Sequence, residues 1–213
     1  MVGAGPAGMA NAYVMRSGIW STYHNQAGLA RLENITAGFY FENRYGISEL
    51  GVQSFAVSAP FKSGSFGLSV THFGYSEYNE NKFGLAYAHS FGEKFSAGIQ
   101  FDYFYLHLPG DYGTNGTIVV EAGILAEPVD KLTFGVHIFN PTRTKIADFL
   151  DERIPTIMRA GFGYAFTENL TFNIETEKDL EQKARFKAGI EYMVIQDLYL
   201  RTGFATNPNQ NYF

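Results

Sequence analysis

From residue 34 onward, apolar and polar residues alternate along the chain with a period of two. In the segment 35–42 (ITAGFYFE), every second residue beginning at Ile35 is apolar, and the residues between them are Thr, Gly, Tyr and Glu. A period of two is the side-chain periodicity of a β-strand whose two faces differ. The pattern recurs and predicts eleven strands, at residues 35–42, 55–59, 66–70, 83–87, 95–103, 118–124, 132–138, 159–166, 170–177, 185–192 and 198–204.

The composition of the two faces narrows the fold class. No Asp, Glu, Lys or Arg falls on the apolar face of any segment, whereas the other face is rich in Gly, Ser and Thr and has the charges. A soluble β-sandwich also alternates, so a soluble all-β binding or structural protein stays open as an alternative. Between the turns and links that bound them, many of the strands extend over about ten residues, which favours membrane strands of about 9–11 residues over soluble strands of about 5–6.

The connections alternate between tight turns and longer links. The tight turns are 62–64, 92–94, 128–131, 167–169 and 195–197, and the longer links are 43–51, 75–81, 109–116, 140–155 and 179–182. Outer-membrane barrels have short periplasmic turns and longer outside loops, and a bilayer requires every backbone polar group to be paired in a closed barrel. The sequence therefore predicts an all-β fold, an antiparallel transmembrane β-barrel. Within link 140–155, Ile146, Phe149 and Leu150 predict a short amphipathic helix at the outer rim.

The odd number of strands has a consequence of its own. Bacterial barrels have an even number of strands, so eleven strands predict a chain cut short by at least one strand, unless the count is wrong by one. Residues 206–213 resemble a loop and end in Tyr212-Phe213.

Charged residues occupy the polar face of one predicted hairpin. If the strands at 170–178 and 183–194 pair across the 179–182 loop, Glu175 lies opposite Lys187 and Glu177 lies opposite Arg185. Opposite charges would then form a ladder on the wall that faces the lumen. A solvated sheet face and a carboxylate pair for acid/base chemistry are the alternatives. Because nothing marks either Glu as desolvated, we favour the ladder and predict that the chain is not an enzyme.

Composition excludes several other functions. The 213 residues contain 16 Lys+Arg, 21 Asp+Glu and no cysteine, for a formal net charge of −5. A mildly acidic chain without a basic cluster does not predict a nucleic-acid partner. Without cysteine there is no disulfide scaffold and no thiolate metal site, and the five histidines show no metal-ligand spacing. The sequence predicts no metal and no cofactor.

The N-terminus has a motif that suggests a different class of protein. The stretch from Gly3 to Gly8 (GAGPAG) fits the dinucleotide fingerprint and is similar to the FAD or NAD site of a flavoprotein. That motif requires a buried strand before it and βαβ alternation after it. Only two residues precede it and the alternation is missing, so a nucleotide-binding protein is the most distant alternative.

Two segments near the N-terminus resemble a known family. Residues 5–14 (GPAGMANAYV) and 23–30 (YHNQAGLA) are similar to the start of FadL-like outer-membrane proteins, most closely the PorV/PorQ branch of Bacteroidetes-type bacteria. Members open with a small-residue stretch of the form GaxAaGMGgAyva, followed by yyNPAGLa. This chain departs from the pattern at Gln26, where Pro is usual, and at Asn11, where Gly is usual. Without that Pro the turn is less rigid.

The resemblance implies an architecture. It implies a barrel of fourteen strands when complete, with residues 1–33 as a hatch inside it, residues 34–213 as barrel strands, and three strands missing here. Asn25, Gln26 and Ala27 stand at the family's turn. Large apolar side chains such as Tyr13 and Trp20 suit a segment packed inside a wide barrel, although an ordinary N-terminal helix on a soluble sheet would also explain them.

The resemblance also implies two functions. FadL-like proteins pass hydrophobic molecules across the outer membrane of Gram-negative bacteria, whereas PorV/PorQ-like proteins serve type IX secretion. The expected partners are outer-membrane lipid with either a hydrophobic ligand or secretion-system proteins. The N-terminus has no secretory signal, so we expect either an internal protein or a mature, trimmed chain. A transporter predicts an apolar pocket between hatch and wall, and mutation of Tyr13 or Trp20 should then impair uptake. A secretion partner predicts no such pocket.

Overall fold

A computed structural model describes residues 2–43, 46–109, 113–145 and 153–206. In these residues eleven strands form one antiparallel sheet, in which each strand pairs with the next along the chain. The prediction of an all-β antiparallel fold with eleven strands is confirmed. The strands are β1 (Thr36–Asn43), β2 (Gly51–Phe61), β3 (Gly64–Gly74), β4 (Asn79–Ser90), β5 (Phe95–His107), β6 (Thr114–Val129), β7 (Leu132–Phe139), β8 (Ile157–Ala165), β9 (Leu170–Asp179), β10 (Arg185–Ile195) and β11 (Leu198–Ala205).

The two faces of the sheet have opposite environments. Apolar side chains such as Phe39 and Phe101 are exposed, at 67% and 52% of their maximum, whereas Gln100 and Asp102 on the other face are fully buried. A soluble β-sandwich has the reverse arrangement, because its apolar faces pack against each other. An outward apolar surface around a polar interior is the arrangement of a membrane barrel.

The connections lie as the alternation predicts. Tight turns join β2 to β3, β4 to β5, β6 to β7, β8 to β9 and β10 to β11, and the longer connections lie at the other end of the sheet. Lys131 and Asp197 adopt positive φ angles of 70° and 66° in two of the tight turns. These left-handed residues allow the chain to reverse within a few residues.

Residues 2–33, here called the inner segment, pack against the polar face of the sheet. The segment contains two short helices, α1 (Ala4–Gly8) and α2 (Ser21–His24), and a 3-10 turn, Gln26–Arg31. It contacts strands from β1 to β11, so the sheet curves around it. Its most buried apolar side chains include Met9 and Leu29, both fully buried.

Glycines on the polar face let the inner segment approach the wall. A Cβ atom at Gly123 of β6 would overlap Oδ1 of Asn25, and one at Gly203 of β11 would overlap the carbonyl carbon of Met9. Neither position has room for a side chain. The glycine content of the polar face therefore reflects close backbone packing as well as strand geometry.

The inner segment also connects the two ends of the sheet. Among the described residues, β1 and β11 are not paired with each other. Trp20 contacts β1 edge-to-face through Tyr40, with ring centroids 6.1 Å apart. At the other end, Arg201 of β11 lies against α1, where a Cβ at Gly8 would be 2.9 Å from Cβ of Arg201.

The nucleotide-binding alternative does not fit this fold. Within the stretch Gly3 to Gly8, residues Ala4–Gly8 form α1, and all paired neighbours in the described sheet are antiparallel. The parallel βαβ unit of a dinucleotide site is therefore not formed there. No helix among the described residues is long and apolar enough to cross a membrane. The predicted rim helix at Ile146, Phe149 and Leu150 and the terminal residues 207–213 lie outside the described residues.

Candidate functional site

A cavity of about 270 Å³ lies between the inner segment and the wall, at the end of the sheet with the longer connections. Four aromatic side chains form much of its lining: Tyr23 from the inner segment, Phe73 from β3, Phe104 from β5 and Phe139 from β7. The rings of Phe104 and Phe139 meet edge-to-face with centroids 6.0 Å apart. Apolar walls with a few polar groups are typical of ligand sites.

Three of these aromatic residues interrupt the alternation of their strands. Phe73, Phe104 and Phe139 occupy positions of the polar phase, at the ends of β3, β5 and β7 next to the longer connections. Their side chains therefore face inward, where the same strands otherwise place small or polar residues. An aromatic residue in the polar phase is a signal that the sequence contains, but the alternation alone did not predict these three as cavity residues.

Tyr23 fixes the position of the inner segment beneath the cavity. Its hydroxyl oxygen lies 2.9 and 3.0 Å from the carbonyl oxygens of Phe55 and Val70, which share its single O–H donor. Burial raises the pKa of the Tyr23 phenol, so the hydroxyl keeps its proton and remains a donor.

Lys82 of β4 places an ammonium group at the cavity wall. Its Nζ lies 2.8 Å from Oε1 of Glu121 and 3.4 Å from Oδ2 of Asp102. The same atom lies 5.6 Å from the ring centroid of Tyr23, 5.8 Å from that of Phe104 and 5.7 Å from that of Phe139. These distances suit cation–π attraction. The ammonium group thus stands between carboxylates on one side and aromatic rings on the other.

Glu121 of β6 connects the cavity to the inner segment. Its Oε2 accepts a hydrogen bond from Nε2 of Gln26 at 2.7 Å and lies 3.0 Å from Nε2 of His137. Gln26 and His137 are almost completely buried. We call Gln26, Lys82, Asp102, Glu121 and His137 the Glu121 cluster.

A second polar cluster lies on β8, β9 and β10. Oε2 of Glu175 accepts hydrogen bonds from the backbone N–H groups of Tyr13 and Val14, at 2.8 and 2.9 Å. Its Oε1 accepts from Nζ of Lys187 at 2.9 Å, and the same ammonium group lies 2.7 Å from Oε2 of Glu177.

Two arginines complete this second cluster. Nε of Arg159 donates to Oε2 of Glu177 at 2.9 Å, and Nη1 of Arg185 lies 3.7 Å from Oε1 of Glu177. The register places Glu175 opposite Lys187 and Glu177 opposite Arg185. We call Arg159, Glu175, Glu177, Arg185 and Lys187 the Glu175 cluster; Arg159 also lines the cavity.

The turn residues singled out by the sequence connect the inner segment to β5 and β6. Nδ2 of Asn25 donates to the carbonyl oxygens of Val14 at 2.7 Å and Ile124 at 3.0 Å, and its Oδ1 accepts from the N–H of Ala27 at 3.2 Å. The carbonyl oxygen of Ala27 accepts from Oγ of Ser96 at 3.0 Å. Asn25 closes the turn and also attaches it to the wall.

Tyr13 and Trp20 lie elsewhere in the inner segment and do not line the cavity. The Tyr13 ring packs against His24, with centroids 5.2 Å apart, and burial raises the pKa of its phenol, with the nearby Arg16 acting against this effect. Trp20 lies at β1. In the sequence these two residues were chosen for their size alone. The aromatic residue of the inner segment whose side chain lines the cavity is Tyr23.

In the described ranges, no group of three or more His, Asp or Glu side chains could hold a metal ion. The described polar groups mainly pair with one another and with the inner segment.

Comparison with known proteins identifies the fold. No protein-family model and no curated protein matches the sequence. The solved structure of a "CymD monoaromatic hydrocarbon channel" matches with a TM-score of 0.69 and 12% identity, over 98% of this chain and 84% of that one. A Pseudomonas aeruginosa FadL homologue matches with a TM-score of 0.62 and 12% identity, over 99% and 81% of the two chains. The fold is that of FadL-like channels. At this identity the likeness concerns the fold and not the ligand.

Proposed function

We propose that this chain is a FadL-like outer-membrane channel that passes small hydrophobic molecules, and that it has no enzymatic activity. The observation that carries the proposal is the aromatic cavity between the inner segment and the wall. One of the similar structures is a monoaromatic hydrocarbon channel, which supports passage of apolar solutes here.

The orientation follows from the connections. Outer-membrane barrels have their longer loops outside the cell, and the cavity lies at that end of the sheet. The exposed apolar face then contacts outer-membrane lipid. A solute enters the cavity from outside, and the inner segment beneath it acts as the hatch on the route to the periplasm.

The site residues expected from the sequence act on the hatch in this proposal. Asn25, Gln26 and Ala27 hold the turn against β5 and β6, Trp20 holds the segment against β1, and the backbone at Tyr13 is held by Glu175. None of the five needs to contact the solute for its substitution to impair uptake.

Replacement of Phe104 tests the channel. We expect Phe104→Ala to reduce uptake of small hydrophobic solutes by about tenfold, because burial of an aromatic ring contributes about 1.5 kcal/mol or more. The measurement is uptake of labelled toluene, benzaldehyde and octane by cells that express the chain in their outer membrane.

Phe101→Ala is the matched control, since Phe101 lies on the same strand but is 52% exposed on the outer face. It should leave uptake unchanged. If cells that express the unmodified protein take up none of the three solutes faster than cells that lack it, the channel proposal is wrong.

The resemblance at residues 5–14 and 23–30 supports a second candidate, a PorV/PorQ-like role in type IX secretion. In that role the barrel would be a partner of a translocon or of a surface attachment complex in a Bacteroidetes-type bacterium. Mild affinity purification of the tagged chain from such a host tests it. Recovery of a large barrel or a surface protease in fixed proportion supports this role, and recovery of the chain alone contradicts it.

A further inference from the structure

The polar groups that line the cavity differ in how much of their hydrogen-bonding capacity is already used. Both carboxylate oxygens of Glu121 already have partners. Oε1 accepts a hydrogen bond from Lys82, and Oε2 accepts one from Gln26 and lies within hydrogen-bond distance of Nε2 of His137. Glu80 also lines the cavity, but it is exposed at the rim, where it accepts from the hydroxyl of Tyr78. The Glu121 carboxylate therefore has little remaining capacity to accept a hydrogen bond from a ligand. Nδ1 of His137, which also lines the cavity, has no hydrogen-bond partner among the described residues.

Donor capacity remains at two cationic side chains. A lysine ammonium has three N–H donors, and within the described part of the chain Lys82 uses two of them, on Glu121 and Asp102. Arg159 donates through Nε to Glu177, and neither of its Nη atoms has a hydrogen-bond partner among the described residues. Both side chains line the cavity. The unused hydrogen-bonding capacity of the deep wall thus consists of the N–H donors of these two cationic side chains and the single Nδ1 of His137, so donors predominate.

The size and the walls of the cavity limit the rest of the ligand. An apolar cavity of about 150 Å³ is enough to bind benzene, so about 270 Å³ accommodates one ring with a small substituent. Tyr23, Phe73, Phe104 and Phe139 provide ring edges and faces, and aromatic pairs prefer such offset or edge-to-face contacts.

We propose that the cavity binds a single aromatic ring carrying an oxygen that accepts hydrogen bonds, with the ring among Tyr23, Phe104 and Phe139 and the oxygen on Lys82. This assignment rests on the proposed function and specifies its substrate class. Lys82 is the specificity-determining residue, because it holds the free donor nearest to the three rings. An aromatic carbonyl compound and an aromatic carboxylate share this chemistry, whereas an aromatic hydrocarbon lacks the acceptor and an aromatic amine brings further donors.

Binding of four ligands of similar size tests the substrate class. The purified, folded protein in detergent micelles is titrated with benzaldehyde, benzoate, toluene and benzylamine, and dissociation constants are measured by calorimetry. Benzaldehyde or benzoate, or both, should bind about tenfold to a hundredfold more tightly than toluene and benzylamine, as expected for a hydrogen bond to a charged donor. The ratio of the dissociation constants for benzoate and benzaldehyde shows whether the cavity prefers a carboxylate or a neutral carbonyl group.

Substitution of Lys82 tests the assigned residue. Lys82→Met alone leaves two buried carboxylates without their cation, so the double variant Lys82→Met/Glu121→Gln is measured beside it. The double variant removes one positive and one negative charge together, and the amide oxygen introduced at position 121 can still accept from Gln26. Both variants should abolish the preference over toluene and keep toluene binding, whereas Lys62→Met, in an exposed tight turn, should keep the preference.

Three results would overturn this assignment: equal binding of toluene and benzaldehyde, an unchanged preference in the double variant, or no binding of any of the four. Uptake measured on the same protein separates the two proposals. If the acceptor preference is absent but toluene or octane enters cells, the substrate class is wrong and the channel stands. If no solute binds and none enters, both proposals are wrong.

Discussion

The inner segment is held to the wall at two polar clusters that work in different ways. At the Glu121 cluster the contact is made by a side chain, Nε2 of Gln26, and the carboxylate that receives it also lines the cavity. At the Glu175 cluster the contact is made by the backbone N–H groups of Tyr13 and Val14, and the receiving carboxylate does not line the cavity. The first contact depends on the residue at position 26 and is next to the proposed ligand. The second does not depend on which residues stand at positions 13 and 14.

The two clusters also differ in their balance of charges. The Glu121 cluster has one ammonium group for two carboxylates, and the Glu175 cluster has three cationic side chains for two carboxylates. Lys187 is almost fully buried and touches both carboxylates of its cluster. We therefore expect the Glu175 cluster to anchor the inner segment permanently, and the Glu121 cluster to be the contact that a ligand can alter.

The largest effect should come from removing the anchor. Glu175→Ala leaves two buried N–H groups without their acceptor and takes one of two carboxylates from a buried ammonium group. We expect the free energy of unfolding to fall by about 3–5 kcal/mol, as for other broken buried ion pairs. The temperature at which the folded band disappears in an unboiled gel series measures this loss.

Glu168→Ala is the matched control, since Glu168 is exposed in the tight turn before β9. Its folded band should persist to the temperature of the unmodified protein. An equal loss in both variants would mean that the Glu175 contacts do not anchor the inner segment.

A smaller effect is expected at the other contact. Gln26→Leu removes the hydrogen bond to Glu121, while Lys82 and His137 remain as partners of that carboxylate. We expect a loss of about 1.5–3 kcal/mol, the contribution of one hydrogen bond to a charged group. Amide hydrogen exchange should increase within the turn 26–31 and remain unchanged at residues 13 and 14.

Gln26→Pro separates the side chain from the turn. Residue 26 is the first of the 3-10 turn and follows Asn25 in an extended conformation, which suits a proline. The proline should lose the same hydrogen bond but stiffen the turn, so exchange at 28–31 should lie between the values for the unmodified protein and the leucine variant. Greater exchange with proline than with leucine would contradict this account of the turn.

The sequence predicts the wall of this molecule far better than its interior. Strand periodicity identifies all eleven strands, because each residue's face follows from its position alone. The pairing of Glu175 with Lys187 follows from the hairpin in the same way. The contact of Glu175 with two backbone N–H groups could not be predicted, since it depends on no side chain of the inner segment.

The residues of the cavity could be predicted only in part. Phe73, Phe104 and Phe139 could have been recognised as aromatic residues in the polar phase of their strands. Tyr23 could not, because the inner segment has no regular periodicity from which to read a face. Selection by size identified Tyr13 and Trp20 instead, whose rings pack against His24 and against β1.

The smallest expected effect is a pH dependence of stability that originates at His24 of the inner segment. His24 is buried, and its Nε2 lies 2.9 Å from the carbonyl oxygen of Val2. Burial, helped by the positive charges of Arg159 and Lys187, holds the pKa of His24 well below its usual 6.5, and the contact with Val2 acts in the opposite direction. The unfolded chain therefore binds a proton at a pH where the folded protein does not, and stability decreases as the pH falls below about 6.5.

Between about pH 7.5 and about pH 6 this difference amounts to less than about 1 kcal/mol, measurable as a lower unfolding temperature at the acidic end. His24→Phe keeps a ring beside Tyr13 and should flatten this part of the pH profile. His107→Phe, at the end of β5 and away from the inner segment, controls for the loss of a histidine and should keep the slope. A slope that survives in the His24 variant would mean that the acid sensitivity originates in the carboxylates of the wall and not in the inner segment.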